Sequence, residues 1–137
     1  MGIRSRTATV LGATVAALAL GVGTAFAGPT YPFQNAQTSV DSCANRIGGG
    51  TAGGAYAGQF EAYETNGAGC TKGWVDLVYL DNYNNIQSIR RNTNVHAGST
   101  AIVYIFLKQS QYRQIIGVSG AATSIQGHQT PVANLNF

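Results

Sequence analysis

The chain has 137 residues, with eight Lys or Arg against five Asp or Glu and a formal charge of +3. Only 9% of the residues are charged, which argues against a clustered basic face for nucleic acid. The 45% of apolar residues is spread in strand-length runs, so the composition is not that of a disordered chain.

The first element is an export signal over residues 1–27. Arg4 and Arg6 make a basic start, Thr7 to Ala27 carries no charge, and Ala25-Phe26-Ala27 has the small-x-small form of a cleavage site. A retained membrane anchor is the rival. The run is rich in Ala, Gly and Thr rather than Leu, Ile and Phe, and no basic cluster follows it as a stop-transfer signal. Ser5 separates the two arginines, so a twin-arginine signal is not supported. Removal of Arg4 and Arg6 leaves six basic residues and five acids, a net charge of +1, and the basic character disappears. About 110 residues then remain, enough for one domain.

Residues 28–36 read as an extended arm, because Pro29 and Pro32 exclude a helix. A short strand is expected near Thr38–Cys43, followed by a flexible loop from Ile47 to Ala55 that holds five glycines. No Lys-Ser/Thr and no helix follow this loop, so it has no phosphate-binding pattern. Tyr56 to Thr65 and Cys70 to Leu80 read as strands, joined as a hairpin by the turn Asn66-Gly67-Ala68-Gly69. On the second strand Val75, Leu77 and Tyr79 share one face, while Trp74, Asp76, Val78 and Leu80 share the other. Ile86 to Asn92 is a short polar strand. Ala101 to Leu107 is apolar at every position, the mark of a central, covered strand. Tyr112 to Ser119 and Ala121 to Gln126 complete the set. About six or seven short strands predict an all-β domain over residues 37–137, a single antiparallel sandwich or small barrel. Cys43 and Cys70, the only cysteines, predict one disulfide in an exported protein.

The inventory for chemistry is thin. His96 and His128 fall in turns or the tail, and a Ser-His-Asp set with Asp41, Asp76 or Asp81 would have to assemble in space. Glu61 and Glu64 differ in parity and so do not make a glycosidase pair. Asp81-Asn82-Tyr83-Asn84-Asn85 offers a single carboxylate, so it reads as a turn rather than a calcium loop. Arg90 and Arg91 point to opposite faces and suit an edge strand. No catalytic residue, cofactor or metal site is predicted. The aromatics carry the hint of binding: Tyr79 and Tyr104 are assigned to the core, Tyr83 to an exposed turn, and Trp74 to either side. Trp74 and Tyr83 are the candidate binding surface.

The run Asn66-Gly67-Ala68-Gly69-Cys70, the strand to Tyr79-Leu80-Asp81 and the turn His96-Ala97-Gly98-Ser99-Thr100 resemble the layout of small exported bacterial β-sandwich proteins, the spore-associated protein A and tendamistat-type amylase-inhibitor families among them. The inhibitor family has a Trp-Arg-Tyr triplet and two disulfides. Here Val75 and Asp76 follow Trp74, and there is one cysteine pair, so the resemblance implies a fold and transfers no site residue. The reading is a secreted, non-catalytic domain that acts by surface contact, at the cell or spore envelope or with another extracellular protein. The alternatives are an inhibitor of an extracellular hydrolase, working through Gly48–Ala55 or Asp81–Asn85, and a glycan-binding module using Trp74 and Tyr83.

Overall fold

The computed structural model describes residues 27–65, 69–96 and 98–137. The export segment up to residue 26 and the turn Asn66–Ala68 therefore lie outside the described residues. Eight strands follow one another: β1 Gln34–Val40, β2 Cys43–Ala52, β3 Ala55–Glu64, β4 Cys70–Leu80, β5 Ile86–Asn94, β6 Ala101–Lys108, β7 Gln114–Ser124 and β8 Ala133–Asn136. They form two four-stranded antiparallel sheets that pack as a sandwich. The first has the order β1-β2-β3-β6 and the second β5-β4-β7-β8. No helix among the described residues is long and apolar enough to cross a membrane.

Alternation places Ile47, Tyr56, Phe60, Ile105 and Leu107 of the first sheet against Val75, Leu77, Ile115, Val118 and Leu135 of the second, all buried. Full burial of each large apolar side chain is worth about 1.5–3 kcal/mol. One end of the core is closed by Tyr31, Tyr56, Tyr112 and Phe137, with ring centroids 5.1 to 6.5 Å apart. The N-terminal arm supplies Tyr31 to this cluster. It is held there by the Tyr112 hydroxyl, which donates to the Pro29 carbonyl at 2.8 Å, and by Gly28 N donating to the Gln109 carbonyl at 2.6 Å. The arm's last three residues already belong to β1.

The disulfide forms between Cys43 at the start of β2 and Cys70 at the start of β4, and so ties one sheet to the other. The bridged residues are 27 apart in sequence. Closing a loop of that length stabilises the fold by roughly 3–4 kcal/mol on the chain-entropy view.

Four expectations are corrected. The glycine-rich segment is no loop: Gly48, Gly49 and Gly50 lie in β2, and only Gly53 and Gly54, at φ 60° and 81°, form the two-residue turn to β3. These strand glycines are filled in by neighbours, with the Phe33 ring over Gly48 and the Tyr56 hydroxyl against Gly49. Second, β3 and β4 are not a hairpin but lie in different sheets, β3 pairing with β2 and β6, and β4 with β5 and β7. Third, β6 is an edge strand, and Tyr104 on its outer face is 48% exposed rather than core. Fourth, the segment after Ala121 is no separate strand but continues β7 to Ser124. As expected from its two arginines, β5 is an edge strand.

Candidate ligand-binding face

The outer face of the second sheet takes its character from the parity of β4. Gly73, Val75 and Leu77 point into the core, which turns Lys72, Trp74, Asp76 and Val78 outward. The register sets Asn94, Asn92 and Arg90 of β5 beside Lys72, Trp74 and Asp76, and Thr123, Ala121 and Ser119 of β7 on their other side. Ala121 is small and fully buried, which leaves room for the half-buried indole next to it.

Arg90 organises this face. Its Nε donates to Asp76 Oδ1 at 2.7 Å and its Nη2 to Asp76 Oδ2 at 2.6 Å, a two-point pair that fixes the guanidinium plane. That plane lies 4.2 Å from the centroid of the Trp74 ring, because Arg90 is the diagonal cross-strand neighbour of Trp74. The bonds that Arg90 donates to Asp76 raise the Arg90 pKa above its ordinary value. Beside this stack runs a groove of about 420 Å³, lined by Lys72, Trp74, Arg90, Asn92, Asn94 and Gln129 among others. Its walls are one aromatic surface and several amide or hydroxyl groups. Such a groove can hold a neutral or weakly anionic polar ligand with an apolar face.

Trp74 and Tyr83 are not brought together. Tyr83 is 84% exposed in the turn after β4. The six residue steps from Trp74 to Leu80 alone span about 20 Å of strand. Sequence parity finds Trp74 and Asp76, but the reading misses Asn92, Asn94, Thr123 and Gln129, and it takes Arg90 as an edge charge only. These residues converge through sheet order, which no local pattern encodes.

Three other sets are brought into contact or spent locally. Asp41 Oδ2 accepts from the Ser124 hydroxyl at 2.6 Å and lies 2.9 Å from His128 Nδ1, and His128 N donates to Ser124 Oγ at 3.1 Å. This is a Ser, Asp and His cluster, but the hydroxyl bonds the carboxylate rather than the imidazole and Ser124 is buried, so the three are not arranged as a histidine-activated nucleophile. The cluster clasps the β1–β2 turn to the segment after β7. The Asp81 carboxylate is occupied by Tyr83 N, Asn85 N and the Gln87 amide, which hold the turn and lower its pKa. Glu61 pairs with Arg46 at 2.9 Å on the outer face of the first sheet. Among the described residues no three His, Cys, Asp or Glu side chains are grouped to hold a metal ion.

Comparison of the chain with protein-family models, with curated proteins and with solved structures finds no match.

Proposed function

We propose that this protein is a secreted, non-catalytic binding domain whose outer sheet face takes a carbohydrate, such as a polymer of the cell envelope. The observation that carries the reading is the groove beside Trp74, where an aromatic wall, a fixed Arg90–Asp76 pair and the amides of Asn92, Asn94 and Gln129 meet. Sugar rings present C–H patches and in-plane hydroxyls, and they are recognised by an aromatic surface together with side chains that donate and accept in fixed planes. The disulfide and the predicted export signal support a place outside the cell.

The test is a binding assay on insoluble glycans (peptidoglycan, chitin and cellulose) with the wild-type protein, Trp74→Ala and Asn92→Ala. The wild type is expected to partition onto at least one polymer. Each substitution should weaken that binding about tenfold or more, equivalent to about 1.4 kcal/mol. Retention of full affinity by Trp74→Ala, or no binding to any polymer, would overturn the reading. The hydrolase-inhibitor reading loses the Gly48–Ala55 loop, which is strand and tight turn, and keeps only the turn that exposes Tyr83.

A further inference from the structure

We propose that β6 is the contact surface for a second copy of this chain, the two β6 strands pairing antiparallel about a two-fold axis at Tyr104. Strand β6 sends Ala101, Val103, Ile105 and Leu107 toward the core and Ile102, Tyr104, Phe106 and Lys108 outward. The outward residues Ile102, Tyr104 and Phe106 are 51%, 48% and 67% exposed. The rings of Tyr104 and Phe106 are already stacked, 5.8 Å apart and inclined by 19°. A row of three large apolar side chains on a solvent-facing strand is the mark of a contact surface rather than of chance exposure.

The backbone of β6 adds a second observation. It pairs with β3 along one side and ends the sheet on the other. Natural edge strands are guarded by charge, proline, bulges or brevity. Two of the other three edges of the sandwich follow that rule, β5 with Arg90 and Arg91 and β8 with its four residues, while β1 presents the uncharged polar residues Gln34, Asn35, Gln37 and Ser39 in place of large apolar ones. By contrast β6 has eight residues, no proline and no glycine, its register with β3 runs without a bulge, and its one charge, Lys108, stands at its end.

Self-pairing also fits the order of side chains. With the axis at Tyr104, this residue faces its own copy, Ile102 faces Phe106 of the second chain, and Lys108 falls opposite Thr100 rather than another cation. Moving the axis to Ile105 sets Lys108 against Ile102, and moving it to Val103 sets Phe106 against Thr100. Only the Tyr104 register matches all three apolar residues with one another. Edge pairing sets these side chains side by side across the seam but leaves the outer face itself uncovered, so the buried area falls below that of standard specific interfaces, about 1,200 Å². The expected product is therefore a reversible, concentration-dependent dimer. Its eight-stranded sheet leaves the groove beside Trp74 open, and two grooves per particle would raise avidity for a polymer.

Sedimentation velocity of the full-length secreted protein over about a hundredfold range of concentration tests the proposal. The wild type should shift from monomer to dimer, and Tyr104→Lys, which sets two cations at the axis, should stay monomeric with an unchanged thermal midpoint. Tyr104→Cys should form a disulfide-linked dimer on mild oxidation, while Ser110→Cys, beyond the strand, should not. A wild type that remains monomeric, a dimer that survives Tyr104→Lys, open-ended oligomers, or equal cross-linking at Ser110 would each overturn it. Glycan binding is scored separately, so failure of one proposal is distinguishable from failure of the other.

Discussion

The ring of Phe60 occupies the space that a β-carbon on Gly73 would need: a methyl group placed there would lie 2.4 Å from the ring Cζ. Phe60 comes from β3 and Gly73 from β4, so the missing side chain on one sheet is the seat of a large buried ring from the other. Gly120 of β7 lies on the other flank of the same ring, 3.1 Å from Cδ1 by the same measure. Gly73→Ala should therefore destabilise by about 1–3 kcal/mol through overpacking. Gly58→Ala is the control, since its added methyl would meet only ordinary contacts at 3.8 Å and beyond. It should be neutral or stabilising by up to about 1 kcal/mol through the unfolded chain. Urea unfolding of the two variants beside wild type measures both, and equal midpoints would show that Phe60 is not seated as described.

A buried polar link joins the sheets on the opposite flank. The Asn45 amide donates to Thr38 Oγ1 at 2.5 Å and to Thr130 Oγ1 at 2.9 Å, and Thr130 Oγ1 in turn accepts from Ala122 N at 3.0 Å. Asn45 and Thr130 are both buried. Asn45→Ala removes the donor from two hydroxyls and should cost about 1–3 kcal/mol in chemical unfolding. A loss below about half a kcal/mol would mean that the link is not part of the folded state's stability.

The Asp41 clasp predicts an acid-sensitive component of stability. Bonds from Ser124 and His128 lower the Asp41 pKa below its ordinary value. A carboxylate with a depressed folded pKa contributes stability above its unfolded value, near 3.9, and that contribution is lost as pH falls through the folded pKa. Asp41 sits at φ 54°, a conformation asparagine also tolerates, so Asp41→Asn removes the charge without forcing the turn. Between about pH 5 and pH 2.5 the wild type should lose more stability than Asp41→Asn. Parallel slopes in urea titrations across that window would count against the clasp.

The sequence alone was enough for the class of fold and for much of the local order. Alternation in Cys70–Leu80 separates Val75 and Leu77 from Trp74 and Val78, and the solvent-facing side of Trp74 then follows once the core is located. Two cysteines with no other partner leave one pairing, which the structure forms. Asp81 reads as a turn former because its carboxylate bonds the backbone beside it, a purely local act.

What needed tertiary structure is whatever depends on neighbours distant in sequence. Gly48–Gly50 is a strand because Phe33 and Tyr56 fill the space its side chains lack, and local propensity registers only the lack. Tyr56–Thr65 and Cys70–Leu80 look like a hairpin by spacing, yet each gains more by pairing within its own sheet around a shared core. The same limit applies to Ala101–Leu107: an apolar outer face reads as covered whether the cover is this chain or another one. Ile102, Tyr104 and Phe106 point away from the core and are exposed surface rather than core, and sheet order puts their strand β6 at an edge. Periodicity states which residues share a face, because the backbone repeats every two residues. It is silent on what that face meets, because pairing is chosen by contacts between segments far apart in the chain.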